Sequence, residues 1–343
     1  MPRIAALLLS IAFAASARPS LQPEWIQSWL GEYAAGRHAD VAAKLRSVSD
    51  LKAFEADLDK TAAKWLGGTA GTPELRRRAL VAFALESASA HLERGSAATK
   101  LLEWGCRQIR RHPKPDEFDH LWHLAAFALF AGAIDPDGLE AHVVHARFQF
   151  PKEPWLAFER AVASELRTFP RIVAESRFPA ATVTKSMEEA VKRYTEAAGN
   201  EPTRAEAFLR RGRIELALGR ADQALESLDR VSPTDDRNVQ YLGHLFRGQA
   251  LERLKRPDDA KQAYEAALTL RPETQSASMA LAALLFRRGE RDLADRQVQT
   301  LFDRQKRTDD PWWVYWPADY RHLDARLTAM RSAIKLDPPP GDR

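Results

Sequence analysis

The sequence predicts an all-α protein built as a stack of antiparallel helix pairs, and two observations carry that fold class. Apolar residues recur at helical spacing almost throughout the 343 residues, and no run of four or more alternating β-branched residues stands between turn signals. Small residues also repeat at intervals of 34 and 36 across the C-terminal half, which marks a periodic array. A composition of 45% hydrophobic and 29% charged residues belongs to the globular class and excludes a disordered chain.

The first element is a leader. "MPRIAALLLSIAFAASA" sets Arg3 before an apolar run from Ile4 to Ala14 and then Ala15, Ser16 and Ala17, the basic, apolar and small-residue order of a secretory signal peptide. Residues 1–17 are therefore expected to be removed after Ala17. The apolar run is short for a bilayer core of about 30 Å, and no cysteine follows the small residues to accept a lipid. Membrane contact is thus expected only before cleavage, and the mature chain is expected to be exported, periplasmic or extracellular. Cys106 is the sole cysteine, so no intramolecular disulfide can form and packing must supply the stability. Its helical surroundings, "LLEWGCRQIRR", mark it as a small buried residue rather than a nucleophile.

Residues 18–168 form the next region, an N-terminal helical array. Residues 23–64 supply amphipathic helices. The "GGTAGT" at 67–72 has no preceding strand and no following Lys-Ser or Lys-Thr, so it is a linker and not a phosphate loop. Thr72 and Pro73 then start a helix as cap and first residue, opening a pair that runs to Pro113. A second pair spans "FDHLW" through Pro151, with its turn between Gly132 and Pro136. The basic clusters Arg76 to Arg78 and Arg107, Arg110, Arg111, His112 and Lys114 are taken as solvated helix faces. Residues 169–184, within "TFPRIVAESRFPAATV", break the helical rhythm and are expected to be a loop inserted between two helices of one pair.

The clearest elements occupy residues 185–304. Three segments, starting at Ala205, Tyr241 and Gln275, align with Gly212, Gly248 and Ala282 on their first helices and Ala224, Ala260 and Ala294 on their second. Leu228, Tyr264 and Val298 follow four residues later, and "MEEAVKRYTEAAGNEP" adds Ala190, Tyr194, Ala197 and Pro202 in the same register. Small side chains let paired backbones approach, and the bulky residue fills the groove toward the next pair. Over residues 186–304 this pattern resembles the tetratricopeptide repeat (TPR) family. That family's first-helix tryptophan position holds Phe208, His244 and Ser278 here, and a usual leucine position holds Arg211 and Arg247. Arg211 and Glu215 are spaced as an i,i+4 pair, which suggests a partly solvated face. The resemblance implies a right-handed α-solenoid, a TPR-like superhelix.

Residues 305–336 end the array. "DDPWWVYWP" offers Asp310 as a cap with Pro311 next. After it, Leu323, Leu327, Met330 and Ile334 share one face of a helix. The last pair of a repeat array exposes an apolar side that a terminal element must cover, so Trp312, Trp313, Tyr315, Trp316 and the capping helix are expected there. Residues 337–343 form a tail.

Motifs for chemistry are few. Formal net charge is +4 with the signs interleaved, which leaves no basic stripe for nucleic acid. The sequence carries no His-Glu-x-x-His, Gly-x-Ser-x-Gly or nucleotide fingerprint, so no catalytic residue and no cofactor are assigned. His120, His123, His142 and His145 fall in one hairpin and are weak metal candidates, supporting a second reading as a metal-dependent or cell-wall-modifying envelope enzyme. The leading expectation is a non-catalytic scaffold for a protein or peptide partner. The resemblance implies a first-helix groove lined by Leu209, Arg213 and Leu216; Leu245, Gln249 and Arg253; and Met279, Ala283, Phe286 and Arg287. Those side chains suit a partner with apolar anchors and acidic groups. An envelope assembly or export factor is the third reading.

Overall fold

A computed structural model describes residues 25–34, 48, 51–69, 71–89, 97–133, 135–168, 180–231, 234–303, 310–313, 315 and 323–334. The expected signal peptide and tail lie outside the described residues. Among the described residues there are α-helices, one 3₁₀ turn and no strand. The helices are α1 (Trp25–Ala34), α2 (Leu51–Leu66), α3 (Pro73–Ser89), α4 (Ala97–Arg110), α5 (Glu117–Gly132), α6 (Pro136–Gln149), α7 (Trp155–Leu166) and α8 (Ala180–Ala197). They continue as α9 (Arg204–Ala217), α10 (Ala221–Leu228), α11 (Arg237–Arg253), α12 (Pro257–Leu270), α13 (Gln275–Arg287), α14 (Arg291–Phe302) and α15 (Leu323–Ala333). No helix among the described residues is long and apolar enough to cross a membrane.

Local chemistry starts these helices where the sequence places their signals. Thr72 Oγ1 accepts the Leu75 amide at 3.1 Å ahead of α3. Asp116 Oδ1 accepts the Phe118 and Asp119 amides at 2.9 and 3.0 Å, and Asp119 returns the bond to Asp116 N, a capping box for α5. Asp135 and Asp236 cap α6 and α11 in the same manner. The turns from first to second helix in the three repeats hold Gly219, Lys255 and Gly289 at φ of +78°, +58° and +80°.

Packing then pairs α3 with α4, α5 with α6, α7 with α8, α9 with α10, α11 with α12 and α13 with α14, each pair also touching the next. The small-residue register has the steric role expected of it. A Cβ on Gly212 would sit 2.7 Å from Leu228 Cγ, and one on Gly248 would sit 2.3 Å from the Tyr264 ring, closer than real atoms approach. Upstream, Gly105 of α4 meets Ala84 of α3 in the same fashion, with 2.8 Å left for a Cβ.

Four expectations are corrected. Helix α8 begins at Ala180, so residues 180–184 are helical and not loop; its apolar stripe packs on α7 and carries the helix back through them, while 169–179 lie outside the described residues. Arg76 is buried and donates to the Leu66 and Gly71 carbonyls, whereas Arg77 and Arg78 pair with Glu74, Asp119 and Asp116, so this run is not a solvated face. Arg211 does pair with Glu215 at 2.8 Å, but Glu215 is buried because Ser227 Oγ donates to it at 2.6 Å. Finally, α15 does not cover the last pair. It packs on α5 and α3, burying Leu327, Met330 and Ile334 in the core of the N-terminal half.

Candidate interaction groove

The first helices α3, α5, α7, α9, α11 and α13 present successive faces of the array, and the C-terminal arm crosses them in reverse order. Asp310 is buried at the N-terminus of α13, where Thr274 makes no side-chain cap. Its Oδ2 accepts the Ser276 amide at 2.6 Å, while Oδ1 accepts the Trp312 amide at 3.0 Å and the Tyr241 hydroxyl at 3.3 Å. One carboxylate therefore starts its own turn and also supplies negative charge to the positive end of α13. Farther along, Phe246 of α11 stands edge-on to Trp312 and Tyr315, with centroids 5.6 and 6.1 Å away.

At α9 the arm meets a buried polar knot. Tyr315 lies under Arg210, whose guanidinium carbon is 4.4 Å from the ring centroid, and under Arg213 at 5.0 Å. Its hydroxyl donates to Glu165 Oε1 of α7 at 2.7 Å. Arg213 donates to the same oxygen at 3.1 Å, and Oε2 accepts Tyr194 and Arg210 at 2.6 and 2.9 Å. Glu206 takes the Arg210 Nε–H at 2.7 Å, so two carboxylates face two guanidiniums. Burial by itself would raise the Glu165 carboxyl; Arg210, Arg213 and the two tyrosine hydroxyls overcome it and hold the group below the usual range. Burial and the neighbouring carboxylate push both phenols up, so they remain donors.

Beyond the knot, Arg326 of α15 donates to the Leu124 carbonyl of α5 at 2.7 Å, and Arg331 pairs with Glu86 of α3 at 2.6 Å. Tyr33 of α1 donates to the other oxygen of Glu86 at 2.6 Å. The arm thus covers this face from the N-terminus of α13 back to α3.

The expected groove residues consequently divide. Leu209, Leu216 and Leu245 are buried in the core cluster that also holds Tyr315, so they are not partner-facing surface; the chain's own packing fills that position. Arg213 is engaged in the knot, Gln249 is half-buried, and Arg253 is exposed while donating to the Leu216 carbonyl. On α13 the same register stays open. Met279 is 44% and Phe286 59% exposed, with Ala283 exposed between them and Arg287 paired to Glu252. Glu165, Arg210 and Tyr241 were not singled out from sequence, and Tyr194 was named only for its place in the repeat register. Asp310 was read as the cap of its own turn, which it is, but not as the acceptor at the start of α13.

The four histidines separate as well. His123 and His142 point inward, with Nδ1 of the first 3.0 Å from Nε2 of the second. Gln149 donates its amide to the Ile109 carbonyl at 2.9 Å, which turns its oxygen to His123 Nε2 at 2.7 Å. An amide oxygen only accepts, so His123 carries its proton on Nε2, His142 donates from Nε2, and His142 Nδ1 accepts the Cys106 thiol at 3.4 Å. Burial drives His123 down to about 4 and His142 well below its ordinary value, and pushes the Cys106 thiol up to about 12. The relay is neutral and saturated. His120 bonds Glu153 at 2.6 Å, and His145 accepts from Arg110 at 2.5 Å. Among the described residues no three metal-type ligands converge.

The tetratricopeptide repeat family model matches residues 241–274, which span α11 and α12. Residues 241–274 are thus a tetratricopeptide repeat. No curated protein matches it by sequence. Among solved structures, the chain is similar to MamA from Desulfovibrio magneticus RS-1, at 14% identity and TM-score 0.41 over 55% of this chain and 96% of that one. A monomeric IFIT1 mutant solved with m7Gppp-AAAA matches at 14% identity and TM-score 0.42, over 92% of this chain and 69% of that one. Similarities this distant carry nothing about ligand or partner.

Proposed function

We propose that this TPR protein is an exported, non-catalytic scaffold that binds a protein partner at the open end of its first-helix face. The observation that carries this reading is the strip of Met279, Ala283 and Phe286 on α13. These residues hold register positions that are Leu209, Arg213 and Leu216 on α9, yet they meet solvent. An exposed apolar strip on a helix-lined face is a common protein contact. Export is supported by the basic, apolar and small-residue order of residues 1–17. The absence of a catalytic role is supported by the saturation of Glu165, whose oxygens already take four donors from the chain itself.

A photo-crosslinking residue at Ala283, introduced into the full chain in its native cell, tests the reading. A discrete protein adduct from the envelope fraction is expected, together with an N-terminus at Arg18. Adducts of equal yield from a crosslinker at Val144, exposed on α6, or retention of Met1, would count against the surface or the export respectively.

A further inference from the structure

We infer that the joined C-terminal ends of α4 and α6 dock the folded chain on an anionic lipid bilayer, with Phe148 as the side chain that enters it. The surface lies on second helices, apart from the α13 strip, and is independent of the scaffold reading. Sequence confines membrane contact to the leader; this surface extends it to the folded chain without a spanning helix.

An apolar ridge comes first. On α6, Ala141, Val144 and Phe148 are exposed, Val144 by 50% and Phe148 by 82%. Their spacing of three and four sets them on one stripe, opposite the buried Leu139, His142, Val143 and Ala146. At that exposure the Phe148 ring projects from the surface instead of lining a cleft, as a side chain lowered to the headgroup boundary does.

Cations frame the ridge. Gln149 donates to the Ile109 and His112 carbonyls at 2.9 and 3.5 Å, and Arg110 bonds His145 at 2.5 Å, which sets the ends of α4 and α6 side by side. Arg110, Arg111 and Lys114 thus flank one side of the stripe and Arg147 the other, with Lys152 in the turn after α6. None of the five has a carboxylate partner among the described residues. Toward the other end of α6, by contrast, Arg167 is held by Asp137 and Glu140, and Arg193 by Glu140 and Glu189. Arg110 and Arg147 suit the last turns of their helices, but Lys114 and Lys152 lie past the helix ends. Asp116, Asp119 and Glu153, close by in sequence, are taken by Arg78, Arg77 and His120, and Glu117 is exposed.

Stripe and charge together select the occupant. Reversible attachment to a bilayer takes two signals, and each cation near an anionic surface strengthens it about fivefold. A bilayer answers both at once, with phosphates for the cations and acyl chains for the ring, whereas a nucleic acid or an acidic protein surface answers the cations.

Cys106 is buried with its thiol pushed up to about 12, so in an Ala141→Cys chain a polarity-sensitive thiol dye labels position 141 selectively. The full chain labelled there, and a second labelled at Ala283→Cys, are titrated with vesicles of phosphatidylcholine with and without phosphatidylglycerol. A brighter, blue-shifted signal is expected from position 141 on the phosphatidylglycerol vesicles only, and none from position 283; a local signal of this kind is not imitated by attachment through the leader. Phe148→Ala should weaken the response about tenfold. Lys114→Glu combined with Arg147→Glu should weaken it by about tenfold or more at low salt. All three substitutions are at exposed positions, and an unchanged melting curve confirms that the fold persists. No signal at 141, an equal signal from phosphatidylcholine alone or from 283, or a response that either variant leaves unmoved overturns the proposal. An equal signal from a single-stranded oligonucleotide or from polyglutamate would make the patch a nucleic-acid or acidic-protein surface and overturn it as well. A lipid at this ridge yields no protein adduct, so Val144 remains the control for the Ala283 crosslink.

Discussion

Over α3 to α11 the first-helix face is covered by residues 310–313, Tyr315 and α15, whereas on α13 the same register positions meet solvent. Both stretches arise from one repeating pattern, so the difference lies in what the chain places on top. In the covered part the arm brings polar anchors at Asp310, Tyr315, Arg326 and Arg331, and each finds a buried or half-buried counterpart. The open part is held by repeat geometry, glycine or alanine against a bulky neighbour, together with Glu252 bonded to Tyr264 and Arg287 and with Asp258 paired to Arg288. A terminal segment therefore need not cap the repeat it follows; it goes where its polar anchors are satisfied along with its apolar stripe.

The sharpest way to break this contrast is at Glu165. Glu165→Ala leaves Arg210 and Arg213 buried without their shared carboxylate, which is expected to cost about 3–5 kcal/mol. The same substitution at Asp258, an exposed carboxylate paired with Arg288 at the open end, should cost under about 1 kcal/mol. Urea denaturation midpoints measure both, and similar losses would mean that the knot is no more important than a surface pair.

Acid should distinguish the halves next. His123 has a folded pKa of about 4 against 6.5 for the free side chain, so between those values the unfolded chain binds the extra proton. Stability is then fully present above about pH 6.5 and falls as pH drops toward about 4, by about 3 kcal/mol for this one group. His142 is depressed too and adds a second proton to the slope. Glu165 acts through its charged form: its folded pKa is lowered from the ordinary carboxylate value, so its contribution is present above that value and is lost as pH falls through the folded one. His123→Gln should reduce the slope of stability between pH 4 and 6.5 from about two protons to about one. An unchanged slope would show that the relay does not stay neutral in the folded chain.

A smaller effect is expected within the aromatic run. Tyr315→Phe removes a hydroxyl bonded to a buried carboxylate and should cost about 1.5–3 kcal/mol. Trp313→Ala, in contrast, acts on a residue that is 53% exposed and should change stability by under about 0.5 kcal/mol. Expecting Trp312, Trp313 and Tyr315 to act alike failed because neighbouring residues in a turn point to different sides, and Trp316 lies outside the described residues.

The fold was legible in the sequence because its determinants are local or periodic. Gly212, Gly248, Ala224 and Ala260 advertise close helix contacts, and Thr72 with Pro73 advertises a helix start. The arm's destination was not legible for a physical reason. The stripe from Leu323 to Ile334 says which side of α15 is apolar, but any apolar surface of suitable width satisfies it. The choice is made by Arg331 meeting Glu86 and Tyr315 meeting Glu165, pairs 245 and 150 residues apart, and no i,i+4 rule reaches that far. The α13 strip was named from sequence together with its equivalents on α9 and α11, and only the covering of those equivalents shows why its exposure differs from theirs.

The gentlest probe works inside the open end. Lys255 occupies the left-handed turn between α11 and α12 at φ of +58°, where the equivalent turns carry Gly219 and Gly289. An L side chain in that region is strained by about 1–2 kcal/mol, and glycine removes the strain while giving back about 0.5–1 kcal/mol of chain entropy. Lys255→Gly should therefore stabilise the protein by about 0.5 kcal/mol. Because the open repeats are coupled mainly to their neighbours, the gain should appear as slower hydrogen exchange in α11 to α14 and leave α3 to α6 unchanged. Uniform slowing across the whole chain would instead mean that the arm ties both ends into one cooperative unit, and that the open end is not energetically separate.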